Sequence, residues 1–308
     1  MATPHDQGLI RISRRNLLQV AGGAAALAAM GLGAHGAEEA KPTAPAPASE
    51  PAKEGAALQG RIKQAVSKWC FGKIPLDEFC QAIQKMGLKG VDLLGPNDFP
   101  TLKKYGMVCT IVNSHGIGKG FNRPENFEEC AKKVRSAIEA AAEYGYPNVI
   151  CFSGNREGMA DDVGAANCVE AMKKLAPFAE EKKVTICMEL LNSKSHKDYM
   201  CDSSAWAADV CKRTGSPRMK FLYDIYHSAM MGEDVIPTFR KHLEFIGHVH
   251  TGGYPGRNEI DSTQKLDYAA IMKAIAESKY DGWVAHEFIP KSKDPLKSLA
   301  EAIKICDV

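Results

Sequence analysis

The sequence lacks several features by which classes of protein are recognised. Its formal net charge is only +2 over 308 residues, and no basic stripe is interleaved with aromatic residues, so nucleic acid is disfavoured as a partner. Its ten cysteines include no CxxC pair and no Cys/His pair at zinc-finger spacing, which argues against structural zinc. No short repeat of the solenoid kind occurs. These absences leave a globular protein whose expected partner is a small molecule.

The N-terminal segment differs from the rest of the chain. Arg14 and Arg15 precede an apolar stretch, residues 20–32, made mostly of Ala, Gly and Leu, and small residues suited to cleavage lie near Ala37. This pattern resembles a twin-arginine export signal, with Leu17 where Phe is usual. The apolar run is shorter than the ~20 residues that span a bilayer. We therefore expect cleavage near Ala37 and a periplasmic location, with an uncleaved membrane anchor as the alternative.

Composition and periodicity divide the chain into three parts. Residues 1–37 are the predicted signal peptide, and the Ala/Pro-rich residues 38–57 have nothing to bury and predict a disordered linker. In residues 58–308, eight short apolar runs alternate with stretches of helical period, which predicts parallel α/β structure. About 250 residues is typical of a (β/α)8 TIM barrel. The predicted strands are 62–71, 90–94, 107–112, 148–152, 184–189, 219–224, 245–250 and 283–287.

The cysteines predict core packing. Ten in a chain of this size could also form a disulfide framework. Nine of them fall in predicted strands or helices, where cysteine behaves as a small hydrophobic residue. Whether any pair oxidises after export is left open. The strand positions are Cys70, Cys109, Cys151 and Cys187, and the helical positions are Cys80, Cys130, Cys168, Cys211 and Cys306.

Four residues of metal-binding type stand at the ends of four successive predicted strands: Glu189, Asp224, His250 and Glu287. Strand carboxyl ends all open on one face of a parallel barrel, so these side chains are expected to converge. A single acidic residue after a strand is more often a helix cap or a solvated loop charge. Three carboxylates and an imidazole, however, would be costly to hold together without a cation. The four residues therefore predict one metal site.

The ligand types also indicate the cation and its surroundings. Oxygen-rich ligation with one imidazole is typical of Mg²⁺, Mn²⁺ or Co²⁺, and the imidazole favours Mn²⁺. Arg257 offers a fork for a carboxylate or for paired hydroxyls. His227 follows Asp224 by three residues, where it would reach a substrate hydroxyl. Asn192 and His115, in loops at the same predicted face, are further candidates for substrate binding, with a solvated loop position as the alternative.

Three stretches in the second half of the chain carry a family pattern. They are Tyr223-Asp224-Ile225-Tyr226-His227, then His248-Val249-His250 followed by Pro255-Gly256-Arg257-Asn258-Glu259, and Tyr280-Asp281-Gly282-Trp283 leading to Glu287. They resemble the hydroxypyruvate isomerase group of the xylose isomerase-like TIM barrels. The resemblance implies one divalent cation on the four residues above, with Glu189 and Glu287 as acid and base. Hydroxypyruvate isomerases of this group carry Gln at the position of His250, whereas the related ketose 3-epimerases carry His.

The expected activity is an isomerisation through an enediolate. Moving a carbonyl to the adjacent carbon requires a base for the proton α to it, an electrophile for the enediolate and an acid for the neighbouring carbon. Two glutamates and a cation meet these requirements, and hydroxypyruvate converted to tartronate semialdehyde is the expected reaction. A ketose 3-epimerase or other sugar isomerase is the alternative favoured by His250. A sugar-binding barrel without catalysis is an alternative from another class.

Two further expectations concern partners. A metal-dependent endonuclease of the same barrel type would need several metals and a basic groove, and the sequence shows neither. No stable membrane span is expected after signal cleavage, and a homo-oligomer is left open.

Overall fold

The computed structural model describes residues 58–308. The predicted signal peptide and linker lie outside the described residues. Within them, strands alternate with helices as predicted, and the (β/α)8 fold class is confirmed. The strands are β1 Lys63–Ser67, β2 Gly90–Asp92, β3 Val108–Cys109, β4 Asn148–Cys151, β5 Thr185–Glu189, β6 Met219–Asp224, β7 Ile246–Thr251 and β8 Trp283–His286. The helices are α1 Leu76–Lys85, α2 Phe99–Lys104, α3 Phe127–Tyr144, α4 Asp161–Lys182, α5 Ser204–Thr214, α6 Ile225–Met230, α7 Val235–His242, α8 Tyr268–Ala276 and α9 Pro295–Cys306.

The strands form one parallel sheet that curls into a barrel. Its order is β3-β2-β1-β8-β7-β6-β5-β4, so β3 and β4 are the two ends that must meet. Val112 joins them, because its N–H donates to the Asn148 carbonyl at 2.9 Å and its carbonyl accepts from Ile150 N–H at 3.0 Å. This single residue supplies the backbone bonds between the two ends. The carboxyl ends of the strands consequently open on one face, where barrel enzymes place their chemistry.

The helices cover the barrel with apolar faces. In α3, the buried residues recur three or four positions apart, as expected for a helix with one face on a core. Val134 and Ile138 are fully buried, and each such side chain stabilises the fold by about 1.5–3 kcal/mol. Gly145 ends α3 with a φ of 71°, a left-handed conformation that glycine adopts without a steric penalty.

The interior of the barrel also limits side-chain size. A Cβ on Gly90 would lie 2.6 Å from Thr110 Cγ2 and 2.8 Å from Ala65 Cβ. Only glycine therefore fits at the start of β2 without displacing its neighbours.

Two predicted strands are half their predicted length or less in the structure. The run 62–71 ends as a strand at Ser67 and continues as the 3-10 helix Lys68–Phe71. There Phe71 packs against Phe79 and Phe288, with ring centroids 5.3 and 6.0 Å apart, so its apolar character serves packing outside the sheet. The run 107–112 is a strand only at Val108–Cys109.

The cysteines lie in the core, in agreement with the prediction. All ten are free thiols and nine are buried; burial raises the pKa of Cys80 to about 11, which suppresses thiolate reactivity. Among residues 58–308, no helix is long and apolar enough to cross a membrane.

Candidate metal centre

The four predicted ligands converge at the carboxyl ends of β5 to β8. Glu189, Asp224, His250 and Glu287 each offer one ligand atom, and these atoms all lie within 4.8 Å of one another. All four residues are buried. Glu189 and Asp224 are the last residues of their strands, and Glu287 directly follows β8, where its N–H donates to the Thr251 carbonyl at 2.9 Å. The positions of the four residues at the ends of apolar runs therefore predicted that their side chains would lie together. That they bind a metal stays a prediction.

A bulge in β7 sets the register of His250. Phe221 pairs with Ile246 but Leu222 pairs with His248, so Gly247 is the additional residue. A Cβ on Gly247 would lie 2.7 Å from Cys187 Sγ, which makes glycine necessary there. After the bulge His250 is the partner of Asp224, and paired residues on adjacent strands point to the same side of a sheet. Bulges of this kind often lie next to functional sites.

The distances within the cluster fit a cation-binding site. His250 Nδ1 lies 3.0 Å from Glu287 Oε2, 3.8 Å from Glu189 Oε1 and 3.9 Å from Asp224 Oδ2. His250 Nδ1 and Asp224 Oδ2 are buried and have no hydrogen-bond partner among the described residues. Unsatisfied buried polar atoms are costly, and a cation would satisfy both at once. The donor set of three carboxylates and one imidazole suits a divalent metal.

Electrostatics give the same indication. Burial and the neighbouring Glu287 raise the pKa of Glu189 to about 8, and burial raises the pKa of Asp224 to about 6. Against the opposing effect of burial, His250 and Arg257 lower the pKa of Glu287. Without a cation, the cluster thus holds protons near neutral pH that free carboxyl groups would release. A divalent cation supplies the positive charge that those protons supply in its absence.

Arg257, predicted to bind substrate, lies in the cavity beside Glu287. Its Nη2 donates to Glu287 Oε2 at 2.5 Å and lies 3.9 Å from Asp224 Oδ2. The other oxygen of Glu287 accepts from Trp69 Nε1 at 2.7 Å. The guanidinium lies 5.4 Å from the ring of Trp69 and 5.6 Å from that of Tyr226, within the range of cation–π attraction. Glu287 is therefore fixed through both oxygens.

His227 and Asn192 contact each other beside Asp224. The His227 N–H donates to Asp224 Oδ1 at 2.8 Å, which caps α6. His227 Nδ1 accepts from the Asn192 N–H at 3.0 Å, so its Nε2 carries the proton of the neutral ring; that nitrogen lies 3.8 Å from Asp224 Oδ2. The Asn192 side-chain oxygen accepts from Ser195 N–H and Oγ, both at 2.8 Å. Asn192 thus holds His227 and its own loop in place.

His115, also predicted to bind substrate, does not line the cavity that holds Arg257 and Glu287. Its Nδ1 lies 3.1 Å from the carbonyls of Gly116 and Lys119, and its Nε2 accepts from the Phe152 N–H at 3.3 Å. The backbone therefore occupies both ring nitrogens. His196, four residues beyond Asn192, does line the cavity.

A cavity of about 240 Å³ opens above the four converging residues. Its polar and charged lining includes Glu189, Glu287, Arg257 and His196, and its apolar lining consists of Leu93, Ile117, Ile150, Phe152 and Leu191. A larger cavity of about 630 Å³ lies at the other end of the barrel, where Lys63 and Lys220 donate to the backbone carbonyls of Asp281 and Glu244. The smaller cavity is the candidate site, because it alone of the two adjoins the acidic cluster.

Asp92 and His248 extend the cluster and were not predicted. Oδ2 of Asp92 lies 2.6 Å from His248 Nε2 and 2.9 Å from His250 Nε2. Asp92 is the last residue of β2, the same position that drew attention to Asp224 in β6. His248 lies two residues before His250, which places both on one side of β7. The position of Asp92 after an apolar run and the two-residue spacing of His248 and His250 could both have indicated this contact. Asp92 was missed because the predicted strand, residues 90–94, extended past it.

Comparison with known proteins places the chain in a family. Residues 100–307 match the family described as Xylose isomerase-like TIM barrel, and the chain belongs to it. A 2-oxo-tetronate isomerase from Cupriavidus necator is 26% identical over 160 residues, 52% of this chain and 61% of the relative. Hydroxypyruvate isomerase from Escherichia coli is 26% identical over 170 residues, 55% of this chain and 66% of the relative. The matched regions thus span less than two thirds of either relative.

Solved structures show the same fold. The 3-keto-D-glucoside 4-epimerase of E. coli superposes with a TM-score of 0.68 at 18% identity, covering 79% of this chain and 98% of that protein. At this identity the likeness concerns the fold alone.

Proposed function

We propose that this protein is a metal-dependent isomerase of small hydroxy-carbonyl compounds. The observation that carries the proposal is the convergence of Glu189, Asp224, His250 and Glu287 within 4.8 Å at the carboxyl face of the barrel. The relatives named as isomerases support the reaction class. The cation would be Mn²⁺ or Mg²⁺, with Co²⁺ as a further candidate, because these ions accept oxygen-rich ligation with one imidazole. When bound, it would polarise the carbonyl and hydroxyl oxygens of the substrate.

The two glutamates are suited to different tasks. Glu287 is fixed by Trp69 and Arg257, so its carboxylate has a defined orientation before substrate enters. The carboxylate of Glu189 lines the cavity and accepts no hydrogen bond from the described residues. It is therefore free to take the proton from the carbon α to the carbonyl. Glu287, an ionised carboxylate held by Trp69 and Arg257, would take the hydroxyl proton of the resulting enediolate and return it to the neighbouring carbon, while the proton on Glu189 passes to the former carbonyl oxygen.

Hydroxypyruvate is the first substrate to test, with tartronate semialdehyde as product. It is the substrate in the name of one relative. Arg257 is the cation that would receive its carboxylate, as a fork for two oxygens. To do so it would have to share its guanidinium with Glu287, which it already contacts.

Epimerisation of a ketose is the second candidate, and the cavity favours it. Four carboxylates, counting Asp92, against one arginine and one divalent cation leave one negative charge, so a neutral sugar would enter without the repulsion that an anionic substrate meets. The 240 Å³ volume would accommodate a molecule larger than a three-carbon acid, and apolar residues contribute to the lining. His250 is also the ligand found in the ketose 3-epimerases that the sequence resembles.

Proton exchange distinguishes the candidates. The protein is incubated in D₂O with hydroxypyruvate, a panel of ketoses and inososes, with and without Mn²⁺, and each carbon is followed by NMR. We expect Mn²⁺-dependent loss of one C–H signal α to a carbonyl, and the affected compound identifies the substrate class. Binding without exchange for every compound would replace the isomerase by a non-catalytic sugar-binding barrel. We further propose that the protein acts after twin-arginine export to the periplasm, a proposal that rests on Arg14 and Arg15.

A further inference from the structure

Asp92 contacts both histidines of β7 with one oxygen. Its Oδ2 accepts from His248 Nε2 at 2.6 Å and from His250 Nε2 at 2.9 Å. All three side chains are fully buried. In the sheet, β1 and β8 lie between β2 and β7, so these bonds cross the inside of the barrel. No backbone pairing requires them.

The contact determines which nitrogen of His250 is free. A carboxylate oxygen only accepts, so Nε2 must carry the proton in the bond to Asp92. In the neutral ring Nδ1 then keeps its lone pair, and Nδ1 is the nitrogen that faces Glu287, Glu189 and Asp224. A histidine ligand needs this arrangement, with one nitrogen on the metal and the other held by a carboxylate.

We infer that Asp92 is a positioning residue for the metal centre and acts on the cation only through His250. The inference rests on the proposed metal site. The Asp92 carboxylate would act on His250 in two ways. Its negative charge makes the imidazole a better electron donor, and its hydrogen bond fixes the plane of the ring. His248 donates to the same oxygen and thereby holds the carboxylate in place for His250.

Asp92, His248 and His250 also have ligand atoms within 4.8 Å of one another, the spacing of a second cation site. Two observations favour hydrogen bonds. Nε2 of His250 would have to lose its proton while Nδ1 binds the first cation, which requires an imidazolate. The donor–acceptor distances are those of ordinary and charge-assisted hydrogen bonds.

The test compares variants of the full chain by Mn²⁺ titration calorimetry. Asp92→Asn keeps the shape but removes the charge, and we expect Mn²⁺ affinity to fall by about 10–100-fold. Thr110→Val is the matched control, because Thr110 directly follows β3, the strand that pairs with β2, and its buried hydroxyl has no partner among residues 58–308. His248→Gln retains an amide donor for Asp92, and affinity within about threefold of wild type is expected.

A spectroscopic measurement on the wild type keeps the inference testable if Asp92→Asn does not fold. In the Zn²⁺-loaded protein, ¹⁵N NMR should show His250 protonated at Nε2 and metal-bound through Nδ1, assigned by loss of the signals in His250→Gln. Coordination through Nε2 would overturn the inference. So would an unchanged Mn²⁺ affinity in folded Asp92→Asn, or two bound cations in wild type and one in that variant.

These outcomes are separable from those of the proposed function. A wild-type protein that binds Mn²⁺ with the expected tautomer but exchanges no substrate proton would leave the positioning role intact and refute the isomerase. If the wild type exchanges substrate protons and Asp92→Asn binds Mn²⁺ as tightly as the wild type, the isomerase proposal stands and the positioning role of Asp92 is refuted.

Discussion

Nη2 of Arg257 donates to Oε2 of Glu287 across 2.5 Å, while Trp69 holds the other oxygen of the same carboxylate. The guanidinium also packs against the rings of Trp69 and Tyr226. Its side chain is only 15% exposed, so this ion pair is largely removed from solvent screening. The orientation of the Glu287 carboxylate thus depends on Trp69 and Arg257, which lie far apart in the sequence.

The first prediction concerns this arrangement. Arg257→Met should reduce kcat by about 10²-fold at saturating Mn²⁺, because small displacements of a catalytic group have effects of that size. Arg257→Lys keeps the charge but loses the fork and the stacking, and an intermediate rate is expected. Arg135→Met is the control, since Arg135 donates to the Lys174 carbonyl on the helical surface. Equal rates in Arg257→Met and Arg135→Met would show that Glu287 needs no support from Arg257.

The second prediction concerns the pH dependence of the metal-free protein. In the folded state the pKa of Glu189 is raised to about 8 and that of Asp224 to about 6, so the folded state binds more protons than the unfolded chain. Stability is therefore greatest below the unfolded values and is lost as pH rises through about 6 to 8. The raised pKa of His250 acts in the same direction, and the lowered pKa of Glu287 acts only below about pH 4.5.

Differential scanning calorimetry with a chelator measures this effect. Between pH 5 and 8, Tm should fall by on the order of 5 °C, because each kcal/mol moves the Tm of a domain of this size by about 2–4 °C. Excess Mn²⁺ should flatten the dependence, since metal binding displaces the protons. Glu189→Gln should also flatten it in the chelated protein. A Tm that is constant over this range without metal is incompatible with the raised pKa values.

The sequence alone predicted the barrel and the grouping of its acidic residues. The prediction was possible because two sequence features locate the end of a strand: the end of an apolar run and the polar residue that follows it. In a parallel barrel all strand carboxyl ends lie on one face, so these polar residues must lie on that face. Glu189, Asp224, His250 and Glu287 all carry that mark. Arg257 lies in the cavity, on the loop that follows β7 directly, and its contact with substrate stays a prediction.

Other parts of the site depend on contacts that no local pattern records. Asp92 meets His248 and His250 across separations of 156 and 158 residues. His115 looks like a polar residue at the correct face, yet backbone groups of its own loop and of Phe152 occupy its ring. Trp69 lies near Glu287 only because β1 ends at Ser67 and a 3-10 turn follows. Such pairings follow from tertiary packing rather than from periodicity.

The third prediction concerns metal ligation. Asp224→Ala and His250→Ala should lower the Mn²⁺ content measured by elemental analysis and remove the Mn²⁺-dependent rise in Tm. For the wild type, Mn²⁺ at 100 times its Kd should add about 2.7 kcal/mol to the free energy of unfolding. Asp209→Ala is the control, because Asp209 pairs with Arg213 on the exposed side of α5. Full metal content in both ligand variants would remove this site from consideration.

The fourth prediction concerns export. Replacing Arg14 and Arg15 by Lys keeps the charge of the segment but removes the arginine pair. We expect the full-length precursor to stay in the cytoplasm while the barrel still folds and binds metal. Cell fractionation with immunoblotting measures this, with the single variant Arg11→Lys as control. Unchanged processing of the double variant would exclude the twin-arginine route.

The fifth prediction separates the two glutamates from the cation that they would share. Glu189→Gln and Glu287→Gln retain an oxygen donor of nearly the same shape but lose the proton acceptor, so Mn²⁺ should be partly retained while kcat falls by about 10²–10⁴-fold. Asp224→Asn should instead lose mainly metal affinity.

The two Gln variants should also differ from each other. No hydrogen bond from residues 58–308 holds the Glu189 carboxylate, whereas Trp69 and Arg257 hold that of Glu287. If Glu189 takes the first proton, Glu189→Gln abolishes deuterium incorporation at the carbon α to the carbonyl. Glu287→Gln then still exchanges that proton and fails only to form product. NMR in D₂O with Mn²⁺ measures both events in one sample. If Glu287→Gln abolishes exchange and Glu189→Gln retains it, the two roles are exchanged. Near wild-type turnover in both variants would show that neither glutamate transfers a proton and that the isomerase proposal is wrong.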